Sequence, residues 1–412
     1  MLEQGELGPA LGHAERAVAL APERAGGYLN RANCHRALGD LLAAEADYRR
    51  AISLEPDSAE AWSSLANLLD DLDDTIPALE AHERAVLLAP DLAQAHWNRS
   101  FTLLGAGRLA EGWDEYEWRF HTEAARPEPR HFTMPCWEGQ PLDGQRLVVW
   151  REQGIGDELL FATCLPDLVA RGAAVTLVVS PRLTSLLARA FPAVHVIPDL
   201  PEAIAALAPH DYHIALGSLP RHLRRTRESF AASGAYLQPQ ADAREAWAAR
   251  LGSLPPGPRI GICWRSGLMT PERLRHYSSL NQWGPLFALP GIQWINLQYD
   301  ECEAELREAE EKFGVRIHRW AGVDLKDDLE SVVGLLGHLD AVVTAPTAVV
   351  ALAGGSGVST WQVDSGSEWS VFGEDRNPWL PAVRMAWLER NQGWESLLAR
   401  VAAELSSRVR RD

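Results

Sequence analysis

A glycine turn with one carboxylate is the stretch of this sequence whose residue types and spacing could do chemistry. The hydrophobic run "RLVVW" (146–150) is followed by "REQGIGDELLF", which places Gly154, Gly156 and Asp157 between a strand and a helix. Glycines at such a junction let the N–H groups of a helix N-terminus approach a substrate phosphate. Asp157 then has two interpretations: it caps the helix, or it projects into a cleft and takes the proton of an acceptor hydroxyl as a general base.

The common nucleotide-binding motifs are missing from this turn. Leu159 stands where the dinucleotide motif GxGxxG requires its third glycine, and the second predicted strand ends in "VVSPR", without an acid for the ribose. The chain has no Gly-Lys-Ser/Thr step, and its lysines are Lys312 and Lys326, so ATP hydrolysis of the P-loop kind is excluded. An anion site in this chain must therefore use arginine, hydroxyl groups, backbone N–H groups or helix N-termini.

The composition is that of an acidic globular protein. Of the 412 residues, 46% are hydrophobic and 23% are charged, and the net charge of −17 argues against nucleic-acid binding. No apolar run approaches the roughly 20 residues of a membrane span, and the N-terminus lacks a signal-peptide pattern, so we expect a cytoplasmic protein without a transmembrane segment. The five cysteines form no CxxC, and neither HExxH nor a suitably placed DxD occurs, so no metal and no cofactor are predicted.

The first third of the chain repeats with a period of 34 residues. The segments "AVALAPE" (17–23), "AISLEPD" (51–57) and "AVLLAPD" (85–91) align, and further small and aromatic columns keep the same spacing. This period is typical of tetratricopeptide repeats, in which small residues let paired helices approach closely. Residues 1–120 are therefore predicted to form an α-solenoid that binds a peptide or protein partner. A role in oligomerisation or rigid spacing alone is the alternative.

Strand-like and helix-like runs alternate after the repeats. Residues 121–144 are rich in proline, glycine and charge, and they are predicted to be a linker. The alternation over 145–254 starts again after "LPPGP" and continues over 255–405, which predicts two consecutive Rossmann-like, doubly wound α/β domains. The predicted strands are 146–150, 174–179, 194–198, 212–216, 259–264, 292–298, 315–320, 339–345 and 358–363. Ligand sites in this fold lie at the carboxyl ends of the strands, here across an interdomain cleft.

Polar and aromatic residues that follow the predicted strands are further candidates for this cleft. Gln298 begins "QYD" after a strand, and it is either a loop residue or a hydrogen-bond partner for the base or ribose of a nucleotide. Trp264 and Trp369 are either core residues or stacking surfaces for a base or a sugar.

Several motifs occur together in a specific order: "GIGDELLFATCLPDL", "GICWRSG", "LNQWGPLFALPGIQWINLQ", "DLKDDLESVVGLLGHLDAVVTAPTAVVALAGGSGVSTW" and "NPWLP". In this order the chain resembles bacterial glycosyltransferases that fuse tetratricopeptide repeats to a GT-B catalytic unit. The catalytic part is similar to the ADP-heptose:lipopolysaccharide heptosyltransferases and, more distantly, to the repeat-fused O-linked N-acetylglucosamine transferases. The resemblance covers the repeats and nearly all of residues 130–405.

The resemblance implies a GT-B glycosyltransferase whose substrate is a nucleotide-diphosphate sugar. In the heptosyltransferase-like enzymes, the Gly-Asp of the first loop carries the catalytic carboxylate, and this position matches Asp157 with Gly154 and Gly156 before it. We therefore expect Asp157 to act as the base of an inverting, metal-independent transfer.

The resemblance also implies a donor site in the second Rossmann-like domain. A basic residue soon after the first strand of that domain contacts the donor diphosphate, and Arg265 in "WRSG" and Arg275 in "RLRHY" are the candidates. The neighbouring Ser266 and Tyr277 are predicted to bind substrate as well, together with Gln298.

One segment departs from the pattern of the family. An Asp-Thr pair usually precedes an "HLAG" helix, but Pro346 replaces the aspartate and Ala351 the histidine in this chain. Thr347 and Ala348 remain at the start of the predicted helix, where a hydroxyl and backbone N–H groups can hold a diphosphate. Donor recognition therefore differs from that of the heptose enzymes.

Two function classes follow from these observations. In the first, the chain is an enzyme that transfers a sugar to a hydroxyl of a protein, which the repeats favour, or of a lipid-linked glycan, which the heptosyltransferase likeness favours. In the second, it is a non-catalytic scaffold whose repeats bind protein partners and whose sugar-nucleotide domain is degenerate. Pro346 and Ala351 favour the scaffold, and the intact "GIGD" turn favours the enzyme.

Overall fold

The computed structural model describes residues 7–123, 132–230, 234–267, 269, 277–366, 368–389 and 392–409. The described residues form two compact units. The first unit contains residues 7–123 together with Gly366 and residues 368–373, and the second contains the rest of the described chain. Within the described residues, no helix is both long and apolar enough to cross a membrane.

The first unit is an array of helices that follows the 34-residue period. Its helices are α1 (Leu7–Leu20), α2 (Ala25–Leu38), α3 (Leu41–Leu54), α4 (Ala59–Asp71), α5 (Thr75–Leu88), α6 (Ala93–Gly105) and α7 (Leu109–Tyr116). A short 3-10 helix, Glu117–His121, follows α7. The repeating alanines Ala44, Ala51, Ala78 and Ala85 are fully buried between these helices. The small side chains therefore do what the period predicts, because they let neighbouring helices pack closely.

An aromatic cluster closes the last part of this unit. Trp369 comes from a distant part of the chain and lies 5.8 Å from Phe101, 6.0 Å from Trp113 and 6.0 Å from Tyr116 between ring centroids. Such ring distances are those of packed aromatic pairs. Trp369 thus packs in this unit, and its interpretation as a stacking surface for a base or sugar stays a prediction.

The second unit begins with a four-stranded parallel sheet. The strands are β1 (Arg146–Trp150), β2 (Ala174–Val179), β3 (His195–Pro198) and β4 (Tyr212–Ala215). They lie in the order β3-β2-β1-β4, with Leu147 opposite Val175 on β2 and opposite Tyr212 on β4. The reversal of strand order at β1 creates a crevice at the carboxyl end of that strand, where ligands bind in doubly wound folds.

A six-stranded parallel sheet follows. The strands are β5 (Arg259–Cys263), β6 (Gln293–Asn296), β7 (Ile317–His318), β8 (Ala341–Thr344), β9 (Thr360–Asp364) and β10 (Val383–Trp387). Their order is β10-β9-β8-β5-β6-β7, which is the 3-2-1-4-5-6 order of a Rossmann sheet, with its reversal between β5 and β8. The edge strand β10 has no counterpart among the predicted strands, and β7 is shorter than the predicted 315–320.

Helices connect the strands of both sheets. They are α8 (Ile155–Ala162), α9 (Leu165–Ala170), α10 (Thr184–Ala190), α11 (Pro201–Ala205), α12 (Leu219–Leu223), α13 (Ala241–Leu251), α14 (Gly284–Phe287), α15 (Glu303–Phe313), α16 (Leu329–Leu336), α17 (Ala348–Gly355) and α18 (Trp394–Val409). The single helix predicted near 157–171 is two helices, since Pro166 in the first turn of α9 has no N–H to continue α8.

The predicted fold class is confirmed by these elements: a tetratricopeptide α-solenoid followed by two Rossmann-like, doubly wound domains in GT-B order. Most tryptophans pack in cores, as expected, and Trp264, Trp283, Trp294 and Trp361 share the core of the second sheet. Trp264 is fully buried, so it is not an exposed stacking surface. The domain boundaries 1–120, 121–144, 145–254 and 255–405 stay predictions, and part of the predicted linker lies outside the described residues.

Candidate active site

The turn after β1 carries the predicted carboxylate. Gly154 is the N-cap of α8 with extended backbone, and Asp157 is the third residue of the helix. The Asp157 carboxylate accepts a hydrogen bond from the Gly154 N–H at 3.1 Å. Asp157 therefore caps the helix by reaching back from its first turn, and it is not the N-cap residue that the capping interpretation assumed. The contact involves Oδ2 of Asp157. The role of Asp157 as a general base stays a prediction.

A buried polar network surrounds this turn, and the sequence-based interpretation did not identify it. The Glu158 side chain is fully buried and pairs with Arg151 at 2.8 Å, while its other oxygen accepts the Ser180 N–H at 2.8 Å. Burial raises the pKa of Glu158, and the Ser180 N–H and Arg151 oppose that shift. The sequence does contain one indication of this network: Glu158 directly precedes the apolar run "LLFA" of the same helix.

The N-terminus of α17 lies at the carboxyl end of β8. Thr347 is its N-cap, and its hydroxyl accepts the Val349 N–H at 3.3 Å. The first-turn N–H groups and the helix dipole make this end favourable for an anion. The structure therefore retains the helix start that the sequence predicted as a diphosphate site, although Pro346 precedes it.

The starts of α8 and α17 meet between the two Rossmann-like domains. A Cβ atom placed on Gly156 would lie 3.7 Å from the Cα of Ala348. Gly156, Asp157, Thr347 and Ala348 thus form one locus, which we call the paired helix start. The paired helix start sits at the strand-order reversals of both sheets, where a doubly wound fold binds ligands.

Gln298 is buried next to the paired helix start and is 2% exposed. Its Oε1 accepts the N–H groups of Trp264 and Arg265 at 3.2 and 3.3 Å, and its Nε2 donates to the Arg265 carbonyl and to Asp300. Because these bonds use both ends of the amide, the side chain ties the loop after β5 to the loop after β6. The predicted contact with a donor base or ribose stays a prediction.

Cys263 connects Gln298 to the start of α17. Its Sγ lies 3.5 Å from Oε1 of Gln298 and 3.8 Å from Oγ1 of Thr347. Burial raises the pKa of the Cys263 thiol to about 12, so the thiol is protonated and unreactive near neutral pH.

Arg265 is held by acids. Its guanidinium pairs with Asp300 and, at 2.6 Å, with Glu305, and it donates to the Glu301 carbonyl at 3.0 Å. Hydrogen bonding to Glu305 and Asp300 raises the pKa of Arg265 above its usual range. A diphosphate would therefore have to displace a carboxylate from Arg265, and the predicted donor contact stays a prediction.

The remaining predicted residues occupy the same region or lie outside the described chain. Ser266 follows Arg265 and is 8% exposed. Tyr277 is half-buried at the start of the next described segment, and Arg275 lies outside the described residues. Gly267 adjoins this loop, and its N–H donates to the Tyr299 hydroxyl at 3.2 Å.

A cavity of about 650 Å³ opens beyond the carboxyl ends of β6 and β7. Its wall includes the QYD segment 298–300, the first turn of α15, Arg319 and Trp320, and the loop 321–325. Trp320 packs edge-to-face against Trp247 at 5.0 Å. Arg319 and Trp320 directly follow β7, and they are candidate ligand residues that the sequence-based predictions did not include.

Charges around this cavity are mostly negative. Asp300, Glu301, Glu303 and Asp324 line it, and Arg319 is neutralised by Glu303 at 3.0 Å and by Glu310 at 2.8 Å. These acids would repel an anionic ligand group in the cavity, whereas ligand hydroxyl and amino groups could donate hydrogen bonds to them. Within the described residues, no group of three or more His, Cys, Asp or Glu side chains is arranged for a metal, and metal independence stays a prediction.

Comparisons with known proteins extend this description. The tetratricopeptide repeat family model matches residues 25–58, which span α2 and α3, and confirms the predicted repeats. Protein FlbA of Caulobacter vibrioides is 38% identical over 323 residues, covering 74% of this chain and 54% of that protein. The chain therefore spans about half the length of this relative.

Similar solved structures include two transferases. A glycosyl transferase family 9 protein from Veillonella parvula is 11% identical, covering 66% of this chain and 98% of that one, with a TM-score of 0.49. A mutant O-GlcNAc transferase of Thermobaculum terrenum is 17% identical, covering 99% and 89%, with a TM-score of 0.33.

Proposed function

We propose that this chain is a glycosyltransferase that moves a sugar from a nucleotide-diphosphate donor to a hydroxyl of an acceptor. The observation that carries the proposal is the paired helix start, which brings a carboxylate from one Rossmann-like domain beside an anion-favouring helix end from the other. The distance of 3.7 Å between the Gly156 Cβ position and Ala348 defines how close the two ends are.

The donor spans the cavity and the start of α17. The nucleoside occupies the cavity, where its hydroxyl groups donate to the acids and its base lies against Trp320. The diphosphate points away from those acids toward Thr347 and the first N–H groups of α17, because like charges repel and the helix end attracts anions. No metal or cofactor is part of the proposal.

Asp157 acts as the base. The acceptor oxygen attacks the anomeric carbon as Asp157 takes its proton, and the bond from that carbon to the diphosphate oxygen breaks with inversion. The charge that builds on the leaving diphosphate is stabilised by the start of α17. The Gly154 N–H bond to Oδ2 holds the carboxylate in place for this step.

The acceptor is a protein whose segment binds the tetratricopeptide array. Repeat arrays of this kind present curved surfaces to peptides and domains, and this chain carries such an array in its first unit. A lipid-linked glycan is the competing acceptor. Transfer of the sugar to a lipid-linked glycan, and not to a peptide, would contradict the assignment of a protein acceptor.

The second candidate function is a non-catalytic scaffold, and one observation favours it. Arg265, which is the described one of the two arginines predicted to contact the donor, is engaged by Asp300 and Glu305. A chain that has lost donor binding would tolerate this neutralisation. Binding of a nucleotide separates the two functions.

The test combines a thermal-shift screen with a transfer assay. Full-length protein is screened against UDP, GDP, ADP and their sugars, and any donor that raises the Tm is assayed for transfer or hydrolysis. Asp157→Asn keeps an oxygen for the Gly154 N–H but loses the base, so we expect kcat to fall about 10²- to 10⁴-fold with unchanged donor binding.

Asp40→Asn is the matched control, because Asp40 caps α3 in the array by accepting the Ala43 N–H at 3.2 Å. It should leave turnover unchanged. If no nucleotide stabilises the wild-type chain, the enzyme proposal fails and the scaffold stands. If Asp157→Asn turns over as fast as the wild type, only the base assignment fails.

A further inference from the structure

The turn that carries Asp157 is flanked by an ion pair whose acidic partner is fully buried. Arg151 leaves β1 and pairs with Glu158 at 2.8 Å, and the Glu158 side chain has no exposed surface. The pair therefore spans the turn 153–157: Arg151 directly precedes it at the end of β1, and Glu158 directly follows it in α8. The Glu158 carboxylate is costly to leave without its partner, because it is buried, whereas the Arg151 side chain is 30% exposed.

The same arginine holds the least common backbone conformation of the turn. Gln153 has a φ of 61°, the left-handed region that a residue with a side chain seldom adopts. Its carbonyl accepts a hydrogen bond from Nη2 of Arg151 at 3.2 Å. The left-handed residue directly precedes the N-cap Gly154, so its conformation decides where α8 starts and where Asp157 points.

Two other strands anchor the pair. The Ser180 N–H, at the end of β2, donates to Glu158 at 2.8 Å, and Asp199, after β3, lies 3.5 Å from Nη1 of Arg151. Three neighbouring strand ends are thus tied to one turn through two side chains.

We propose that Arg151 and Glu158 are positioning residues, which set the turn 153–157 and thereby hold the Asp157 carboxylate in its place at the paired helix start. The structural part concerns the turn itself, and the catalytic part rests on the proposed function. Neither residue touches the reacting atoms. Their effect on transfer runs through the orientation of Asp157, whose displacement by even about 1 Å costs rate.

A simple stabilising role predicts a different outcome from positioning. If the pair only stabilised the fold, a conservative variant that preserved Tm would preserve turnover. Arg151→Lys makes this distinction, because its single ammonium can pair with Glu158 but cannot also reach the Gln153 carbonyl in the way a guanidinium fork does. Glu158→Gln keeps the volume and an acceptor for the Ser180 N–H, and it removes the charge.

The experiment measures hydrogen exchange of the peptide covering 151–159 by mass spectrometry in the full chain, alongside Tm and the steady-state constants. Exchange at Gly154 to Glu158 should be at least about 10-fold faster in Arg151→Lys and in Glu158→Gln. With a turned-over nucleotide sugar, kcat should fall about 10-fold or more while KM for the donor stays within about two-fold. In Arg151→Lys, the faster exchange and the lower kcat should occur while the Tm stays at the wild-type value.

Arg146→Lys is the matched control. Arg146 lies at the other end of β1, where it is half-exposed and pairs with Asp211 at 3.6 Å. Its exchange and turnover should match the wild type. Unchanged exchange in both test variants overturns the proposal whatever the activity, and faster exchange with unchanged kcat overturns its catalytic part. If exchange is faster in the variants but the wild-type chain neither binds nor turns over a nucleotide sugar, the structural part of the proposal is supported and the proposed function is contradicted.

Discussion

At the scale of single residues, the environment of a side chain decides its chemistry more than its type does. His213 on β4 shows this, because its Nδ1 accepts a hydrogen bond from Trp150 Nε1 at 3.2 Å and must be unprotonated to do so. Burial lowers the pKa of His213 below its ordinary value. The first Rossmann-like domain thus contains a histidine that the folded state prefers to keep neutral.

This preference predicts a pH dependence of stability. The unfolded chain binds the proton more readily, so the contribution of neutral His213 is fully present above the ordinary pKa of about 6.5 and is lost as pH falls from there toward the lowered folded-state value. We expect the free energy of unfolding to drop between pH 7.5 and pH 5.5 by more in the wild type than in His213→Asn, whose amide oxygen can still accept the Trp150 N–H. Urea denaturation at the two pH values measures the difference.

His195→Asn serves as the comparison, because His195 is an exposed residue on β3, at the opposite edge of the same sheet. It should keep the pH dependence of the wild type. An equal pH dependence in His213→Asn and wild type would contradict the assignment. His318, whose pKa is also lowered by burial, is present in all three proteins and cancels.

At the scale of elements, packing explains a position that the repeat pattern made look degenerate. Gly112 in α7 stands where Ala10, Ala44 and Ala78 stand in the other repeats. A Cβ on Gly112 would lie 2.7 Å from Cγ of Leu104, closer than real side chains come. The glycine is therefore required by the approach of α6, and it is not a sign that the repeat has decayed.

Restoring the repeat alanine should for this reason destabilise the array. We expect Gly112→Ala to cost about 1–3 kcal/mol through overpacking, and to lower the Tm. Gly12→Ala in α1 is the paired substitution, since nothing lies within 4 Å of a Cβ there. It should raise stability by about 0.5–1 kcal/mol, as alanine favours helix over glycine. A neutral or stabilising Gly112→Ala would show that Leu104 moves aside.

At the scale of the whole molecule, ion pairs join the two Rossmann-like domains. Arg189 on α10 pairs with both oxygens of Glu330 on α16, at 2.8 and 2.6 Å, and also donates to the Gln238 carbonyl. Arg182 pairs with Asp327 at 2.8 Å nearby. These contacts hold α10 against α16 in the present arrangement of the two domains, in which α8 meets α17.

A double-mutant cycle on Arg189→Ala and Glu330→Ala measures this connection. Because the pair is bidentate and only partly exposed, we expect a coupling of about 0.5–1 kcal/mol at low salt that shrinks at 1 M salt. The exposed Arg49–Glu45 pair within α3 is the reference, with a coupling of no more than about 0.5 kcal/mol. A coupling of zero would mean that the Arg189–Glu330 pair contributes nothing to the connection between the domains.

Short, periodic patterns in the amino-acid sequence were enough to predict the main elements of the fold. The 34-residue period predicted the solenoid, the alternation of runs predicted two parallel sheets, and the glycine turn predicted the start of α8. Local patterns suffice for these features because helix pairing and strand burial repeat at a fixed spacing. The edge strand β10 was not predicted, and β7 is shorter than the predicted 315–320, since edge strands of two to five residues carry too little pattern.

The partners of the candidate residues could not be predicted from the sequence, because they come from distant parts of the chain. Arg265 and Gln298 are adjacent to the expected site, but acids after β6 neutralise the first and loop amides engage the second. Trp369 joins an aromatic cluster of helices more than 250 residues earlier in the chain. The meeting of Gly156 with Ala348 is of the same kind. Such contacts join residues far apart in sequence, and they follow from packing that no local pattern records.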